Sequence, residues 1–281
     1  MSFNQQNKEL TALIKLLDEP NESIYLSIED KIFSYGLYAV PFLENVWQNS
    51  FDNLINIRIE KIIHKINFNK TASEIKSWSE NGENDLLDGF ILVSKYQYPN
   101  LEKEDILKKL GKIIRDAWIE LNTELTGLEK IKVINHIIFK VHNFKGNKND
   151  FYASDDYFIN NLLDSRIGNH LSLGILYLII ARRVDVPIFG VDLPKQFILT
   201  YLDNGNSFFY INPFNKGAAF TKNEVEAYIE LLKIESKKSY FLPCDNKRII
   251  IKLLEGLYSS FNKTDFSDKA EEIKYLIEQI D

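Results

Sequence analysis

Apolar residues recur at spacings of three and four along most of the chain, and the breaks in that rhythm fall at Pro and Gly. Leu10, Leu13, Ile14, Leu16 and Leu17 form a stripe that stops at Pro20, the pattern of an amphipathic helix. Asn21 or Ser23 can cap a second helix, which carries Ile24, Ile28, Ile32 and Phe33 and ends near Tyr35-Gly36. A third starts near Pro41 with Phe42, Leu43, Val46 and Trp47, and a fourth carries Ile55, Ile59, Ile62, Ile63 and Ile66. Short helices broken in this way predict stacked pairs of the HEAT kind, although no clean period repeats. Further helices are expected over 86–96, 105–121 and 128–143.

A polar loop at 143–150 follows, and the character of the chain then changes. A helix is expected over 156–163, then the turn Arg166-Ile167-Gly168-Asn169, then a strongly apolar helix over 172–184. Three runs rich in β-branched and aromatic residues, 188–191, 197–201 and 207–211, read as strands, with Asp203-Asn204-Gly205-Asn206 as a hairpin turn. Three more helices are expected near 223–234, 248–261 and 267–280. Helices, one small antiparallel sheet and helices again make an α+β fold. The expected division is a helical region over 1–145, a core over 151–235 and a helical tail over 236–281.

Bulk chemistry narrows the function. A net charge of −6, with Lys and Arg scattered, argues against general nucleic-acid binding. The longest apolar stretch, 171–181, falls far short of the ~20 residues that span a bilayer, and the start of the chain has no secretory pattern. The single cysteine, Cys244, allows no internal disulfide and suits a reducing compartment. The chain is therefore expected to be cytoplasmic, with neither nucleic acid nor membrane as partner.

The informative segment is 165–217. It holds Gly168-Asn169 before the apolar helix that ends Ala181-Arg182-Arg183, then Val-Pro-Ile-Phe-Gly-Val at 186–191, then Asn-Pro-Phe-Asn-Lys-Gly at 212–217. In order and spacing this resembles the SirB-type branch of the transglutaminase-like superfamily. The resemblance implies a papain/transglutaminase-like core beginning near residue 151. Catalytic members transfer acyl groups through a Cys at the N-terminus of the apolar helix, where the helix dipole lowers the thiol pKa. A His on one strand activates it and an Asp on the next orients the His. Here the corresponding positions hold His170, Gln196 and Asn212. A Gln amide takes up no proton near neutral pH, and losing one triad member alone costs ~10⁴-fold. The resemblance therefore implies a non-catalytic protein with a degenerate cleft of Asn169, His170, Ser172, Gln196 and Asn212, binding an unknown protein or peptide.

The alternative is residual hydrolase or acyl-transfer activity with Ser172 as nucleophile and His170 as base, although residues two apart on a helix point to different faces. Read without the resemblance, His170 is a turn residue bonded to nearby backbone and Ser172 is an N-cap. Gln196 and Asn212 then form a cross-strand pair. Cys244 reads as a small buried hydrophobe, His64 as a core-edge residue and Asp155-Asp156 as a helix cap. His136 and His142, six apart, do not share a helix face. No metal site or cofactor is expected.

Overall fold

Polar residues set where the helices begin, and apolar stripes set which way they face. In the computed structural model, which describes residues 3–80, 85–203 and 206–280, the chain packs as two compact units, Met1–Glu74 and Ile75–Asp281. The first contains α1 (Phe3–Ile14), α2 (Glu22–Phe33), α3 (Val40–Asn49) and most of α4 (Asn53–Glu80). Asn21 caps α2, its Oδ1 accepting from the N–H of Ser23 at 3.0 Å and of Ile24 at 3.3 Å. Leu10, Ile14, Leu17, Ile28, Ile32, Leu43, Ile59 and Ile62 form its core.

Three residues depart from the expected stripes, and Leu16 of the first is half exposed. Ile24 is half exposed, and Tyr25 is buried in its place beneath the Arg58 guanidinium, 3.8 Å from the ring centroid. The same guanidinium donates to the carbonyls of Leu17 at 2.7 Å and Glu19 at 2.8 Å, tying α4 to the turn after α1. Trp47 also lies at the surface, its indole N–H donating to Glu60 at 2.9 Å. His64 is exposed and stacks on Phe68.

The second unit continues with α5 (Leu86–Gln97), α6 (Lys103–Glu120) and α7 (Gly127–His136). Next come β1 (Lys145–Gly146), α8 (Ile159–Ser165), β2 (Ile167–Gly168) and α9 (His170–Arg183). The sheet follows as β3 (Ile188–Leu193), β4 (Gln196–Asp203), β5 (Asn206–Asn212) and β6 (Ala218–Phe220), antiparallel in that order. The unit ends with α10 (Lys222–Leu231), α11 (Asn246–Lys263) and α12 (Ser267–Glu278). The α+β reading holds. Residues Asn204-Gly205 of the expected hairpin lie outside the described residues, but Asp203 pairs with Asn206 across the strand ends.

Helix α9 is the centre of this unit. Every residue from Leu171 to Ala181 is buried, as a helix apolar on all sides requires. It packs against α5, α6, β3, β4 and α11. For that reason the polar segment at 143–150 does not divide two domains: α5 and α6 before it share α9 with the sheet after it. The segment is also more than a loop. Its Lys145-Gly146 pairs in parallel with Ile167-Gly168. The helix expected over 156–163 is split, with a 3₁₀ turn at Ser154–Tyr157 and α8 starting at Ile159. Neither Asp155 nor Asp156 caps it. Ser94 Oγ, from α5, accepts the Ile159 N–H at 2.9 Å instead.

Gly174 on α9 faces Phe197, and a Cβ there would lie 2.6 Å from the ring. Gly174→Ala is expected to destabilise the chain by about 1–3 kcal/mol through overpacking, read as a lower urea midpoint; an unchanged midpoint would show that the ring can move aside.

Candidate functional site

The start of α9 is built by a local exchange of hydrogen bonds. Arg166 closes α8 with φ +64°, and the two residues of β2 carry the chain to Asn169. Asn169 Oδ1 accepts the N–H of Leu171 at 2.8 Å and of Ser172 at 2.9 Å, while Ser172 Oγ accepts the Asn169 N–H at 3.0 Å. This is a capping box, so Asn169 is the N-cap and Ser172, expected in that role, is the third residue of the helix. Ser172 is fully buried. A Cβ at Gly168 would stand 2.6 Å from its oxygen, so the box needs glycine there.

His170 is the first residue of α9. Its partner is not the neighbouring backbone but β4: Nδ1 accepts the Phe197 N–H at 3.0 Å. That bond places the neutral ring's proton on Nε2. Burial pushes the imidazole pKa down to about 4, and the positive charge of Lys252 acts in the same direction. Gln196 opens β4 opposite Leu193, beside Tyr228, whose hydroxyl donates to the Pro194 carbonyl at 3.1 Å. Asn212 closes β5, and its Oδ1 accepts the Asn215 N–H at 3.2 Å. The expected cross-strand pair of Gln196 with Asn212 does not form. Leu199 lies opposite Ile211, which carries Asn212 level with Ile198, two residues beyond Gln196.

Asn169, His170, Gln196 and Asn212 nevertheless line one cleft of about 560 Å³, within the ~300–1,000 Å³ usual for ligand pockets. Ser172 does not line it. The far wall is α11, which supplies Lys252 and Glu255, and Phe151, Tyr152 and Phe214 add aromatic surface. Lys252 Nζ pairs with Asp192 and donates to the Leu193 carbonyl at 2.7 Å. Arg248 Nε donates to the other Asp192 oxygen at 2.6 Å, and its two terminal nitrogens hold Glu255 at 2.9 and 3.1 Å. Burial lowers the Lys252 pKa, against the pull of Asp192. Sequence reasoning missed this wall. The available signal was the recurrence of Arg248, Lys252 and Glu255 at spacings of four and three, which puts three charges on one face of an otherwise apolar helix.

Cys244 does not line the cleft. Its N–H donates to the Gly190 carbonyl at 2.9 Å, its Sγ lies 3.4 Å from the same oxygen, and burial pushes the thiol up to about 11. His142 Nε2 lies 2.9 Å from Asp116. Among the described residues no group of His, Cys, Asp and Glu is arranged to hold a metal ion, and no helix is long and apolar enough to cross a membrane.

A proton binds His170 more readily in the unfolded chain, at its ordinary 6.5, than in the folded one, near 4. The stability this gives is complete above about pH 6.5 and lost as pH falls towards 4. His170→Gln is expected to flatten the stability profile in that window, where the wild type loses up to about tenfold in its folding equilibrium per pH unit. Urea midpoints at about pH 7 and about pH 4.5 compare the two; equal losses would place the titration elsewhere.

The sequence pattern of the transglutaminase-like superfamily matches residues 104–255, more than half of the chain. The UPF0162 protein of Xylella fastidiosa is 23% identical over 197 residues, covering 66% of this chain and 68% of that protein. Protein SirB1 of Salmonella typhimurium is 27% identical over 183 residues, 62% of this chain and 66% of SirB1. Mouse F-box only protein 21 is 30% identical over 118 residues, 40% of this chain and 18% of that protein. No solved structure matches. The extent of the family match, together with these SirB1 and UPF0162 relatives, places the chain in the transglutaminase-like superfamily, as a protein of the SirB type.

Proposed function

We propose that this chain is a non-catalytic transglutaminase-like protein whose cleft binds a peptide or an extended segment of a protein partner in the cytoplasm. The observation that carries this reading is the state of His170, at the position where the nucleophilic thiol stands in catalytic relatives. Its ring is neutral and held by the Phe197 N–H, so it is neither a thiolate nor set to activate one. Gln196 carries an amide, which offers no base, and Asn212 is engaged in capping the turn after β5. Leu171 and Ser172 give their N–H groups to Asn169, so these donors are not free to hold an oxyanion.

The acyl-transfer alternative with Ser172 has little support. Its hydroxyl is buried within the capping box and does not face the cleft. Cys244 is a poor substitute, since burial removes most of its thiolate. Recognition by shape is better supported. Phe151 is 68% exposed and its ring centroid lies 6.4 Å from that of Phe214, an open aromatic pair at the cleft mouth suited to apolar side chains.

Fluorescent heptapeptides of varied sequence, titrated by anisotropy and then analysed by mass spectrometry, test the reading. A subset is expected to bind and be recovered intact, with Gln196→Ala weakening binding about tenfold; cleaved or acyl-exchanged peptide would overturn it. The Cys244 thiol, shifted from 9.0 to about 11, is expected to react with iodoacetamide near pH 8 about a hundredfold more slowly than an ordinary thiol. Alkylation at an ordinary rate would return Cys244 to consideration.

A further inference from the structure

The capping box leaves one polar group unsatisfied. Both backbone donors at the start of α9 point at Asn169 Oδ1, which fixes the orientation of the amide and turns Nδ2 the other way. Asn169 is only 8% exposed, it lines the cleft, and Nδ2 has no hydrogen-bond partner. A buried donor left unmade is costly, and few native groups remain so without a ligand or water to satisfy them. The missing partner is an acceptor.

Its neighbours indicate which acceptor. His170 holds its proton on Nε2, because Nδ1 receives the Phe197 N–H, and the ring lines the same cleft. Lys252, across the cleft, has three N–H bonds; it pairs with Asp192 and donates to the Leu193 carbonyl. The N-terminal end of a fourteen-residue helix, α9, adds positive potential at the same place. Of the two acids in the wall, Glu255 is held by both terminal nitrogens of Arg248, and Asp150 Oδ1 accepts the Tyr152 N–H at 2.8 Å. Both acids of the wall are thus already engaged while Asn169 Nδ2 is not, and the aromatic pair stands at the mouth.

We infer that the α9 end of this cleft, built by Asn169 Nδ2, His170 Nε2–H and Lys252, is a carboxylate-binding subsite that takes the free C-terminus of a peptide or a small aromatic acid. This rests on the peptide-binding reading above and names the group recognised. One carboxylate oxygen lies at Asn169 and His170, the other faces Lys252, and an apolar side chain next to the carboxylate meets Phe151 and Phe214.

Calorimetric titration of the full chain with N-acetyl-glycyl-phenylalanine, its C-terminal amide and phenylpropanoate tests the inference. The peptide acid is expected to bind at least about tenfold tighter than the amide and to shift the Asn169 side-chain NH₂ resonance in wild-type protein. Phenylpropanoate binding as tightly as the peptide acid would support the subsite and assign it to small acids; weaker binding would assign it to peptide C-termini. Asn169→Asp keeps an oxygen for the α9 cap, since Asp caps helices as well as Asn, but removes the donor. With its melting temperature unchanged, this variant is expected to lose the preference for acid over amide. Equal binding of acid and amide with the Asn169 resonance unmoved would remove the carboxylate subsite and leave peptide binding standing. Binding of neither peptide would remove both.

Discussion

A helix that is apolar on every face cannot lie at a surface, and the burial of α9 organises the larger unit. From Leu171 to Ala181 it offers no polar side chain except Ser172, which turns back into the cap, and the Tyr177 hydroxyl, which donates to Asn135. The sheet, α5, α6 and α11 all cover it. Polar side chains return only at its two ends, Arg182 and Arg183 at the last turn and His170 at the first, and the first turn borders the cleft. Burying the helix thus leaves its N-terminal dipole at a cleft that a ligand can reach.

The opposite wall works by a different rule. Lys252, Asp192, Arg248 and Glu255 form an alternating chain of charges in which each acid contacts a base. Such pairs add little net stability when partly exposed, but each geometry restrains the next. Arg248, engaged at Nε and at both terminal nitrogens, fixes the separation of β3 and α11. It also leaves the face of α11 that borders the cleft in a defined state of charge.

Much of this was legible in the sequence. The spacing of apolar residues gave the helices, and the Gly168-Asn169 turn with the strands that follow gave the core and four of the cleft positions, Asn169, His170, Gln196 and Asn212. What the sequence hid was non-local. Ser94 caps α8 from 65 residues away, and no window around Ile159 contains it. Asn169 and Ser172 are both good capping residues, and only the geometry of β2 decides between them. The cross-strand pair of Gln196 and Asn212 failed on a register of two residues, which is set by the end of β5 rather than by side-chain preference. The polar segment at 143–150 looked like a boundary because composition changes there, yet the packing of α5 and α6 on α9 crosses it.

Phe197 joins two parts of the molecule usually treated apart. Its backbone N–H holds His170 at the cleft, while its ring fills the space left by the missing side chains of Gly174 and Gly190. The rim of the binding surface and the centre of the hydrophobic core are thus consecutive groups of one residue. Recognition in this protein has no independent adjustment: a change that loosens the core moves the imidazole, and a ligand that grips the imidazole pulls on the core. A family member that altered its ligand preference at His170 would have to repack around Phe197 as well, so its specificity and its stability would change together.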